Sequence, residues 1–495
     1  MNKPVNLFAI TRINDLNKAL EYERLVTKSN EEVRIQKHEI DSLHSFVKLI
    51  VESGVSAGEL DGFYHSYTIN QIGKEFDLIK LSDNYLINIE LKSENIDEDK
   101  IRDQLLKNKY YLKFLGTTNC FYTYVMTTST IYTLNSSDNL EIVDISEIVS
   151  SLKKITDFFK GDLNEKFKVS NYLVSPINTP EKFLSDGYFL TQQQLEIKNE
   201  IINIHKPNGV TNYGITGDPG TGKTLLLYDI AKTYSKTLKC CIVHCGMLSN
   251  GHNYIDAHSP NMSVIPIKEI NQGFNFDCFD CFFIDESHRI YKSQFELIVK
   301  YCSENKKMCF FSYDKQQTLS HNEERTDIVK QIEFLPNICT KRLSQKIRSN
   351  KEIAGFIKKL FNLNYGKELI NYGNIEVLFA NNVFEASYLK QMYQNNGYEY
   401  IYFTSSNYKS GSVDAYNYNG NQNTHEVIGQ EFDNVLMIID STFYYDNNIL
   451  SSKTHPNPDY IYTKLLFQGL TRVREKLCLI IAGDVNLFDK IISIF

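Results

Sequence analysis

GDPGTGKT, residues Gly217 to Thr224, matches a phosphate-binding loop at every fixed position and follows an apolar run that ends at Ile215. A glycine-rich loop between a strand and a helix can turn several backbone N–H groups toward phosphate oxygens. Lys223 would place a positive charge beside the phosphates, and the Thr224 hydroxyl would supply a ligand for Mg²⁺. The following stretch, LLLYDIAKTYSK, predicts a helix whose positive dipole end faces the same site. A simple glycine turn has no need of Lys and Thr at these places. We therefore predict a nucleoside triphosphate site formed by Gly217, Gly220, Gly222, Lys223 and Thr224.

The length and charge of the chain restrict the kind of protein it can be. With 495 residues, it exceeds the size of one hydrophobic core, so about three units are expected. A net charge of −7 argues against a wholly basic nucleic-acid coat but leaves room for a local basic groove. The start, MNKPVNLFAITRIND, lacks the apolar segment of a signal peptide, and no uncharged apolar run is long enough to span a membrane. We expect a cytoplasmic protein with no membrane partner.

Ten cysteines raise the question of a zinc site. Cys278 and Cys281 form a C-x-x-C pair, and Cys240, Cys241 and Cys245 lie close together. Both groups fall in apolar, strand-like runs, where cysteine behaves as a small buried hydrophobe. A structural zinc site needs two paired ligand clusters at a spacing that loops can provide. We therefore do not predict zinc.

The hydrophobic pattern divides the chain into two parts. Residues 12–53 read as helices, and residues 67–143 contain the strand-like runs FDLIKL, YLINIEL, CFYTYVMTT and TIYTLN with one helical stretch, Asp99 to Leu115. This αβββαβ-like order indicates a compact mixed domain. Beyond residue 189, strands and helices alternate, which indicates parallel α/β sheets. The predicted boundaries are 1–169 for the first domain, 170–189 for a linker, and 190–342 and 343–495 for two further lobes.

A pair of acids follows the phosphate loop. CFFIDESHR, Cys281 to Arg289, is an apolar strand that ends in two carboxylates. Asp285 can hold Mg²⁺, and Glu286 can orient the water that attacks the γ-phosphate. Acid pairs at strand ends are common, so the prediction depends on this strand sharing a sheet with the loop.

Other stretches of the second part resemble, in the same order, motifs of the superfamily 1 helicases. LTQQQ at Leu190 is similar to the segment that reads adenine, with Gln194 at the place of its glutamine. FFSYDKQQTL at Phe310 resembles the third motif, and the resemblance implies that Asp314 and Gln317 sense the γ-phosphate.

Three more stretches extend this resemblance. LSQKIRSNKEI at Leu343 resembles the fourth motif, in which Arg348 would contact phosphate. THEVIGQEFDNV at Thr424 resembles the fifth and QGLTRVREKLCLII at Gln468 the sixth, in which Arg472 would be an arginine finger. Arginine suits this role because it stays charged and grips phosphoryl oxygens in two places. The resemblance implies two RecA-like lobes with ATP and Mg²⁺ between them.

The string DESHR together with GQEFD is most similar to the helicase domain of Schlafen-type proteins and their bacterial relatives, over roughly residues 188–485. Short gaps between the motifs leave no room for a large accessory domain. Strand separation is therefore in doubt, and the activity could be limited to translocation or nucleic-acid-stimulated ATP hydrolysis.

A second candidate site lies in the first part. In EFDLIKLSDNYLINIELKS, an SDN turn would bring Asp77 near Glu90 and Lys92, which share one strand face. Two carboxylates can hold Mg²⁺ or Mn²⁺, and a lysine beside the metal can orient water. The spacing resembles the PD-(D/E)xK nucleases in their minimal form. A solvated hairpin with alternating charges is the competing interpretation.

The surroundings of the motif favour the nuclease interpretation. A helix precedes the strands, the carboxylates sit in an otherwise apolar run, and a helix follows with Gln104 and Lys107 on one face. Either side chain could contact the cut strand, although surface solvation explains each one taken alone. Glu59 is a weak candidate for an additional upstream acid.

The resulting fold prediction is α/β: an N-terminal PD-(D/E)xK restriction-endonuclease-like mixed domain followed by two RecA-like parallel lobes. The predicted function is an ATP-dependent motor and metal-dependent nuclease, similar to bacterial single-chain nuclease-helicases of antiphage defence. Nucleic acid is the expected partner, with DNA favoured over RNA, and a second copy or an accessory defence protein is possible. Two alternatives stay open: an ATP-gated sensor with an idle nuclease-like domain, and an RNA-directed nuclease-helicase.

Overall fold

The computed structural model divides into two compact units, Met1–Tyr172 and Leu173–Phe495. The residues that it describes are 3–13, 15, 17–18, 21–22, 25, 37–69, 72–167, 174–203, 211–314, 319, 321–344, 351–366, 372–405, 412–417, 422–453 and 460–495.

The first unit contains one mixed sheet with helices before and within it. Its helices are α1 (Leu7–Ile10), α2 (Lys37–Glu52), α3 (Glu98–Leu112), α4 (Ile145–Lys153) and α5 (Leu163–Lys166). Its strands are β1 (Phe63–Thr68), β2 (Glu75–Leu81), β3 (Tyr85–Lys92), β4 (Thr118–Val125), β5 (Thr130–Leu134) and β6 (Leu140–Val143). The strands lie in the order β1-β2-β3-β4-β5-β6.

The order of elements follows from local sequence. The turn at Ser82 closes a hairpin in which β2 and β3 are antiparallel, with Leu78 opposite Ile89. Because β3 and β4 are parallel, they need a crossover connection, and α3 supplies it. Asp97 caps α3 by accepting a hydrogen bond from the backbone of Asp99. The helix α2 therefore precedes three strands, a helix and a further strand, as the hydrophobic pattern predicts.

The two faces of this sheet have different characters. Alternate residues of a strand point to opposite faces, so Ile87 and Ile89 pack in a core with Phe46 of α2. Asn88 and Glu90 point to the other face and are both buried. The polar candidate residues therefore share the face on which α3 lies.

The second unit contains two parallel sheets. Its helices are α6 (Pro180–Leu184), α7 (Gln192–Asn203), α8 (Lys223–Tyr234), α9 (Asn250–His258), α10 (Lys292–Glu304), α11 (His321–Thr326), α12 (Ile328–Glu333), α13 (Lys351–Phe361), α14 (Val383–Asn395), α15 (Tyr462–Leu470) and α16 (Val485–Ile492). The first sheet has the order β12-β7-β11-β10-β8-β9 and the second the order β13-β19-β16-β14-β15.

The strands of the first sheet are β7 (Asn212–Gly217), β8 (Cys240–His244), β9 (Met262–Pro266), β10 (Cys281–Asp285), β11 (Met308–Tyr313) and β12 (Ile338–Leu343). Those of the second are β13 (Ile375–Ala380), β14 (Glu399–Tyr402), β15 (Gln422–Asn423), β16 (Phe432–Asp440) and β19 (Val473–Ala482), and a hairpin is formed by β17 (Phe443–Asp446) and β18 (Ile449–Ser452). All pairings within the two sheets are parallel, which confirms the prediction of parallel α/β sheets.

The stretch predicted as a linker, residues 170–189, differs from that expectation where it is described. Pro180–Leu184 forms a helix, and Phe183 and Tyr188 are buried in the core beneath the first parallel sheet. The prolines and weak periodicity suggested an open connection. The aromatic side chains instead fix this stretch to the second unit.

No helix in the described part of the chain is long and apolar enough to cross a membrane.

Candidate functional site

The phosphate loop occupies the connection between β7 and α8. Gly220 and Gly222 have φ angles of 76° and 80°, which residues with a Cβ rarely adopt. At Gly217 a Cβ would lie 2.5 Å from the Leu343 carbonyl oxygen and 2.8 Å from Thr221 Oγ1. The three glycines are therefore required by backbone conformation and close approach, and the loop leads directly into the N-terminus of α8.

The loop lysine is held inside the loop. Lys223 Nζ donates to the carbonyl oxygens of Gly217 at 2.8 Å and Asp218 at 3.2 Å. It also forms an ion pair with Asp314 Oδ2 at 3.2 Å. Asp314 directly follows β11, the neighbour of β7. Parallel strands thus bring two predicted nucleotide-site residues together at their carboxyl ends.

The acid pair meets the loop at the same edge of the sheet. Asp285 is the last residue of β10, and its Oδ1 accepts hydrogen bonds from Thr224 Oγ1 at 3.3 Å and Ser312 Oγ at 2.5 Å. A hydroxyl and a carboxylate are hard oxygen ligands of the kind that Mg²⁺ prefers. Asp285 Oδ2 forms no hydrogen bond with the described residues and faces His244 Nδ1 at 3.4 Å. These residues fit Mg²⁺.

Glu286 is buried beside Asp285. Burial raises the pKa of its carboxyl group, and the negative charge of Asp285 adds to that effect. The charges of Arg289, Lys223 and Arg472 lower the same pKa. Glu286 thus combines a raised pKa with positive charges nearby, which suits a group that positions water or accepts a proton.

Gln194 lies beneath the phosphate loop. Its Oε1 accepts a hydrogen bond from the Thr191 backbone at 2.9 Å, and the Thr191 hydroxyl accepts one from the Gln194 backbone, which is a reciprocal capping box of α7. Its Nε2 donates to the carbonyl oxygens of Thr221 at 3.2 Å and Gly222 at 3.1 Å. The Gln194 side chain therefore holds the backbone of the phosphate loop through two hydrogen bonds. The motif alone does not predict these contacts.

Arg472 belongs to the connection between α15 and β19 and is buried. Its guanidinium donates to the carbonyl oxygens of Gln468 at 3.2 Å and Gln430 at 3.4 Å. Its positive charge is the smallest of the contributions that lower the pKa of Glu286, after those of Arg289 and Lys223. Gln317 and Arg348 lie outside the described residues.

Two residues of the DESHR string have contacts that the sequence prediction did not use. His288 Nε2 lies 3.4 Å from Glu286 Oε2, and His288 Nδ1 accepts a hydrogen bond from the backbone of Asp314 at 3.3 Å. Arg289 Nη1 lies 3.6 Å from Glu323 Oε1. The string itself was the available signal, because these residues directly follow the acid pair. His288 links the acid to the strand end that carries Asp314.

A cavity of about 690 Å³ lies elsewhere in the second unit. Its wall combines residues before α6, the start of α9 and the region around β15, including Asn178, Ser249, Asn250, Tyr254, Gln422 and Gln430. The wall also contains two acids, Glu181 and Glu426, and several apolar side chains, and one face of the Tyr254 ring is stacked on His258. Thr424 is the first residue of the stretch that resembles the fifth motif, and it follows the cavity residue Gln422 by two positions. It is buried, and its hydroxyl lies 2.9 Å from that of Thr404.

The candidate nuclease residues lie together in the first unit. Asp77 Oδ2 accepts a hydrogen bond from the Leu91 backbone at 2.8 Å, between the positions of Glu90 and Lys92. Burial raises the pKa of Asp77, and burial together with the charge of Asp77 raises the pKa of Glu90 to about 7. Lys92 lowers both pKa values. The predicted hairpin therefore brings together a buried carboxylate, Glu90, with a half-buried carboxylate and a half-buried cation, rather than fully solvated charges.

Amide side chains hold Glu90. Asn108 of α3 donates to Glu90 Oε1 at 2.8 Å, Asn88 donates to the same oxygen at 3.3 Å, and Gln104 donates to Oε2. The predicted helix residue Gln104 thus reaches the acid, but Asn88 and Asn108 were missed. Asn88 lies two residues before Glu90 on the same strand face, and this spacing was the signal available. The amides orient Glu90 and use both lone pairs of its Oε1, so Oε2 is the Glu90 oxygen that keeps a lone pair for a divalent cation held together with Asp77.

The structure also shows the surroundings of Lys74, Lys107 and Glu59. Lys74 is buried, and burial lowers its pKa while the charges of Glu90 and Asp77 raise it. The positive charge of Lys107 also lowers the pKa of Lys74, so Lys107 lies near the cluster. Glu59 instead accepts hydrogen bonds from the Ser56 backbone and hydroxyl, both at 2.8 Å, which caps a turn.

Comparison with known proteins gives one family match. Residues 211–423 match the model of the Schlafen group 3, DNA/RNA helicase domain, a range that contains the phosphate loop and the acid pair. No curated protein matches the chain. The second unit therefore includes a region similar to that helicase domain.

Two solved structures show a weak overall similarity. Arterivirus nonstructural protein 10 (helicase), in complex with DNA, shares 13% identity with a TM-score of 0.30, covering 61% of this chain and 65% of that chain. A structure of two coordinating Pif1 helicases at forked dsDNA shares 11% identity with a TM-score of 0.33, covering 61% of this chain and 94% of that chain. The chain thus spans slightly less than two thirds of the arterivirus protein.

Proposed function

We propose that this chain is an ATP-dependent nucleic-acid motor of the helicase or translocase type, whose first unit is a metal-dependent nuclease. The motor proposal is carried by one observation: Lys223, Thr224, Asp285 and Glu286 converge at one sheet edge, where Arg472 adds a charge from the second sheet. The family match over residues 211–423 supports it.

Each residue has a distinct role in the proposed ATP site. Lys223 binds phosphate oxygens, and the backbone N–H groups of the loop hold the same oxygens. Thr224 and Asp285 would hold Mg²⁺, which would neutralise charge on the phosphates. Glu286 orients the attacking water, and Arg472 stabilises charge on the transferred phosphoryl group. Since the arginine comes from the second sheet, hydrolysis depends on how the two sheets approach each other.

Single-stranded nucleic acid is the proposed partner of the cavity near α9. Its amides and hydroxyls can contact backbone and bases, and Tyr254 can stack on a base. Glu181 and Glu426 also line the cavity and none of its described lining residues is Lys or Arg, so the proposed contacts are to bases and sugars rather than to phosphates. We propose DNA as the substrate, with RNA as the alternative that matched oligonucleotides would reveal.

A second proposed activity is cleavage of nucleic acid at Asp77, Glu90 and Lys92. A Glu90 pKa of about 7 supports it, because burial and then the charge of Asp77 disfavour the ionised carboxylate, and a divalent cation would offset both. Lys92 would orient water or stabilise the pentavalent phosphate. Since each acid keeps oxygen lone pairs, Mg²⁺ or Mn²⁺ can be held without rearranging the amides.

Movement along nucleic acid tests the motor proposal against the alternative of an ATP-gated sensor. Displacement of streptavidin from a biotinylated single strand should require ATP and should be lost in Glu286→Gln. ATP binding should persist in that variant, because glutamine keeps the shape of the acid. ATP turnover without displacement would favour the sensor.

Cleavage tests the nuclease proposal. Purified protein with Mg²⁺ or Mn²⁺ should degrade single-stranded or duplex DNA, and Lys92→Ala should abolish cleavage while leaving ATP turnover intact. Equal cleavage by Lys92→Ala and the wild type would reject the site.

A defence role, proposed from resemblance to bacterial nuclease-helicases alone, predicts that cells carrying the Lys223→Ala variant lose protection in a phage plating assay.

A further inference from the structure

A cluster of buried polar atoms lies behind the Mg²⁺-binding acid. His244 ends β8 and pairs with Asp285 across neighbouring strands, and its Nδ1 lies 3.4 Å from Asp285 Oδ2. The ring of His252 on α9 lies 4.3 Å from the His244 ring, centroid to centroid. Both rings are fully buried. Of the described residues, none forms a hydrogen bond with His244 Nδ1, His244 Nε2, His252 Nε2 or Asp285 Oδ2. Buried groups of this kind are costly, and each such group in a native protein needs an explanation.

The far end of the cluster reaches the cavity. Ser249 precedes α9 and lines the cavity, and both its backbone nitrogen and its Oγ lie 3.0 Å from His252 Nδ1. The backbone N–H donates to Nδ1, so in the neutral ring the proton is on Nε2. Burial and the neighbouring His244 hold the pKa of His252 well below its usual range, which keeps the ring neutral. His252 therefore connects the cavity wall to His244 through one rigid ring.

His244 also touches the loop that leads into the second sheet. A Cβ on Gly429 would lie 3.5 Å from His244 Cε1, and a Cβ on Gly246 would lie 2.7 Å from His244 Nε2. Gly429 has a φ of 77° and lies between β15 and β16. The His244 ring is thus enclosed by Asp285, by His252 and by two glycines, one of them from the loop before β16. Movement of α9 carries the His252 ring, which lies against the His244 ring.

We propose that His244 and His252 couple occupation of the cavity by single-stranded nucleic acid to the position of Asp285 at the nucleotide site. This inference rests on the proposed motor function. A strand that contacts Ser249 and Asn250 shifts the start of α9, the His252 ring moves with it, and His244 transmits the shift to Asp285. Both histidines are positioning residues, since neither touches ATP or the strand. The buried ring nitrogens that form no hydrogen bond with the described residues leave this junction free of competing polar contacts that would fix it.

The variants separate coupling from folding. His252→Gln keeps the cap of α9, because Ser-x-x-Gln is the common capping box, but it removes the ring that lies against His244. His244→Phe keeps the ring that fills the space beside the glycines and removes the nitrogen that faces Asp285. Asn253→Ala, at an exposed position of the same helix, is the matched control.

Two readouts test the coupling. The first is the ratio of ATP turnover with and without single-stranded oligothymidylate, measured on the full chain. The second is the change in oligothymidylate affinity caused by a non-hydrolysable ATP analogue, by fluorescence anisotropy. Coupling in binding is reciprocal and typically amounts to about 5- to 150-fold. We expect His252→Gln to lower both readouts at least about fivefold while basal turnover stays within about twofold. The double variant should lose no more coupling than either single variant, because both act in one connection.

The outcomes distinguish this inference from the proposed function. Wild-type protein without ATP turnover, or without stimulation by the oligonucleotide, would reject the motor and this inference with it. Stimulation of the wild type that His252→Gln and Asn253→Ala both retain in full would reject the coupling alone. Equal loss of basal and stimulated turnover in His252→Gln would also reject it, since that pattern indicates general damage to the site.

Discussion

At the scale of single residues, the carboxylate cluster of the first unit depends on charge and burial. Asp77 and Glu90 each have a raised pKa, chiefly because burial disfavours the charged form. For Glu90 the folded pKa of about 7 exceeds the reference value of 4.5, so the folded chain binds more protons than the unfolded chain between these values. Stability is therefore expected to fall as the pH rises through this window.

Asp77→Asn tests this balance. The asparagine oxygen can still accept the Leu91 N–H, while the like charge beside Glu90 disappears. One pKa unit corresponds to about 1.4 kcal/mol, so in metal-free buffer at pH 8 we expect a stabilisation on the order of 1–3 kcal/mol. The gain should shrink toward pH 4.5. Thermal unfolding at the two pH values measures it.

Asp83→Asn is the control for this prediction, because Asp83 is an exposed acid in the turn between β2 and β3. It should leave the unfolding midpoint nearly unchanged at both pH values. A loss of stability in Asp77→Asn at pH 8 would show that the carboxylates do not repel each other in the folded chain.

Gln194 allows the motif and the geometry to be compared. The resemblance to the helicase motif implies that Gln194 reads adenine. In the structure, its side-chain amide donates hydrogen bonds to the carbonyl oxygens of Thr221 and Gly222 in the phosphate loop. If the support dominates, Gln194→Leu should raise the KM for ATP and GTP together, by about tenfold for a loss of about 1.4 kcal/mol. Gln192→Leu on the exposed side of α7 should change neither KM. Steady-state kinetics with both nucleotides decide the matter, and a rise for ATP alone would favour adenine reading.

At the scale of elements, the turn from β7 into α8 has the least tolerance for change. A Cβ at Gly217 would approach the Leu343 carbonyl oxygen to 2.5 Å, and backbone cannot move aside as a flexible side chain can. Gly217→Ala should therefore shift β12 or the loop, destabilise the chain by about 1–3 kcal/mol and weaken nucleotide binding.

Calorimetric titration with an ATP analogue and thermal unfolding measure these effects of Gly217→Ala. Gly373→Ala is the control, because a Cβ there meets nothing within 4 Å. Unchanged affinity and stability in Gly217→Ala would mean that the loop adopts another conformation.

The elements themselves were largely predictable from the hydrophobic pattern. The alternating run FDLIKL became β2, and the helix predicted from Asp99 to Leu115 became α3 with a 3-10 turn at Lys113–Leu115 that ends at Gly116. The sequence predicts a linker over residues 170–189, because its prolines and weak periodicity give no sign that Phe183 is buried. Local periodicity does not record which aromatic side chains a distant core will accept.

The candidate sites were predictable where a motif is contiguous and not where contacts are long-range. The contiguous motifs GDPGTGKT and CFFIDESHR predict Lys223 and Asp285 as site residues. Each motif contains the carboxyl end of a strand of one parallel sheet, and these ends lie at the same edge. Asn108 and His252 carry no local signal, since each acquires its role only when a helix packs on a strand. Packing between elements, rather than the motifs, therefore supplies the network around each acid.

At the scale of the whole molecule, the account depends on ATP turnover that responds to nucleic acid. The proposed nucleotide site combines Lys223 and Glu286 from the first parallel sheet with Arg472 from the connection that leads into β19. Nucleic acid that brings the two sheets together should complete this arrangement and speed hydrolysis.

The most direct measurement is ATP hydrolysis by the purified chain with Mg²⁺, with and without single-stranded DNA or RNA, beside Lys223→Ala. The account predicts turnover that nucleic acid stimulates and that Lys223→Ala abolishes, since this variant removes the charge held at the phosphate loop. Lys239→Ala, a surface substitution at the start of β8, should behave as wild type. Turnover that is the same in Lys223→Ala and the wild type would contradict the central claim.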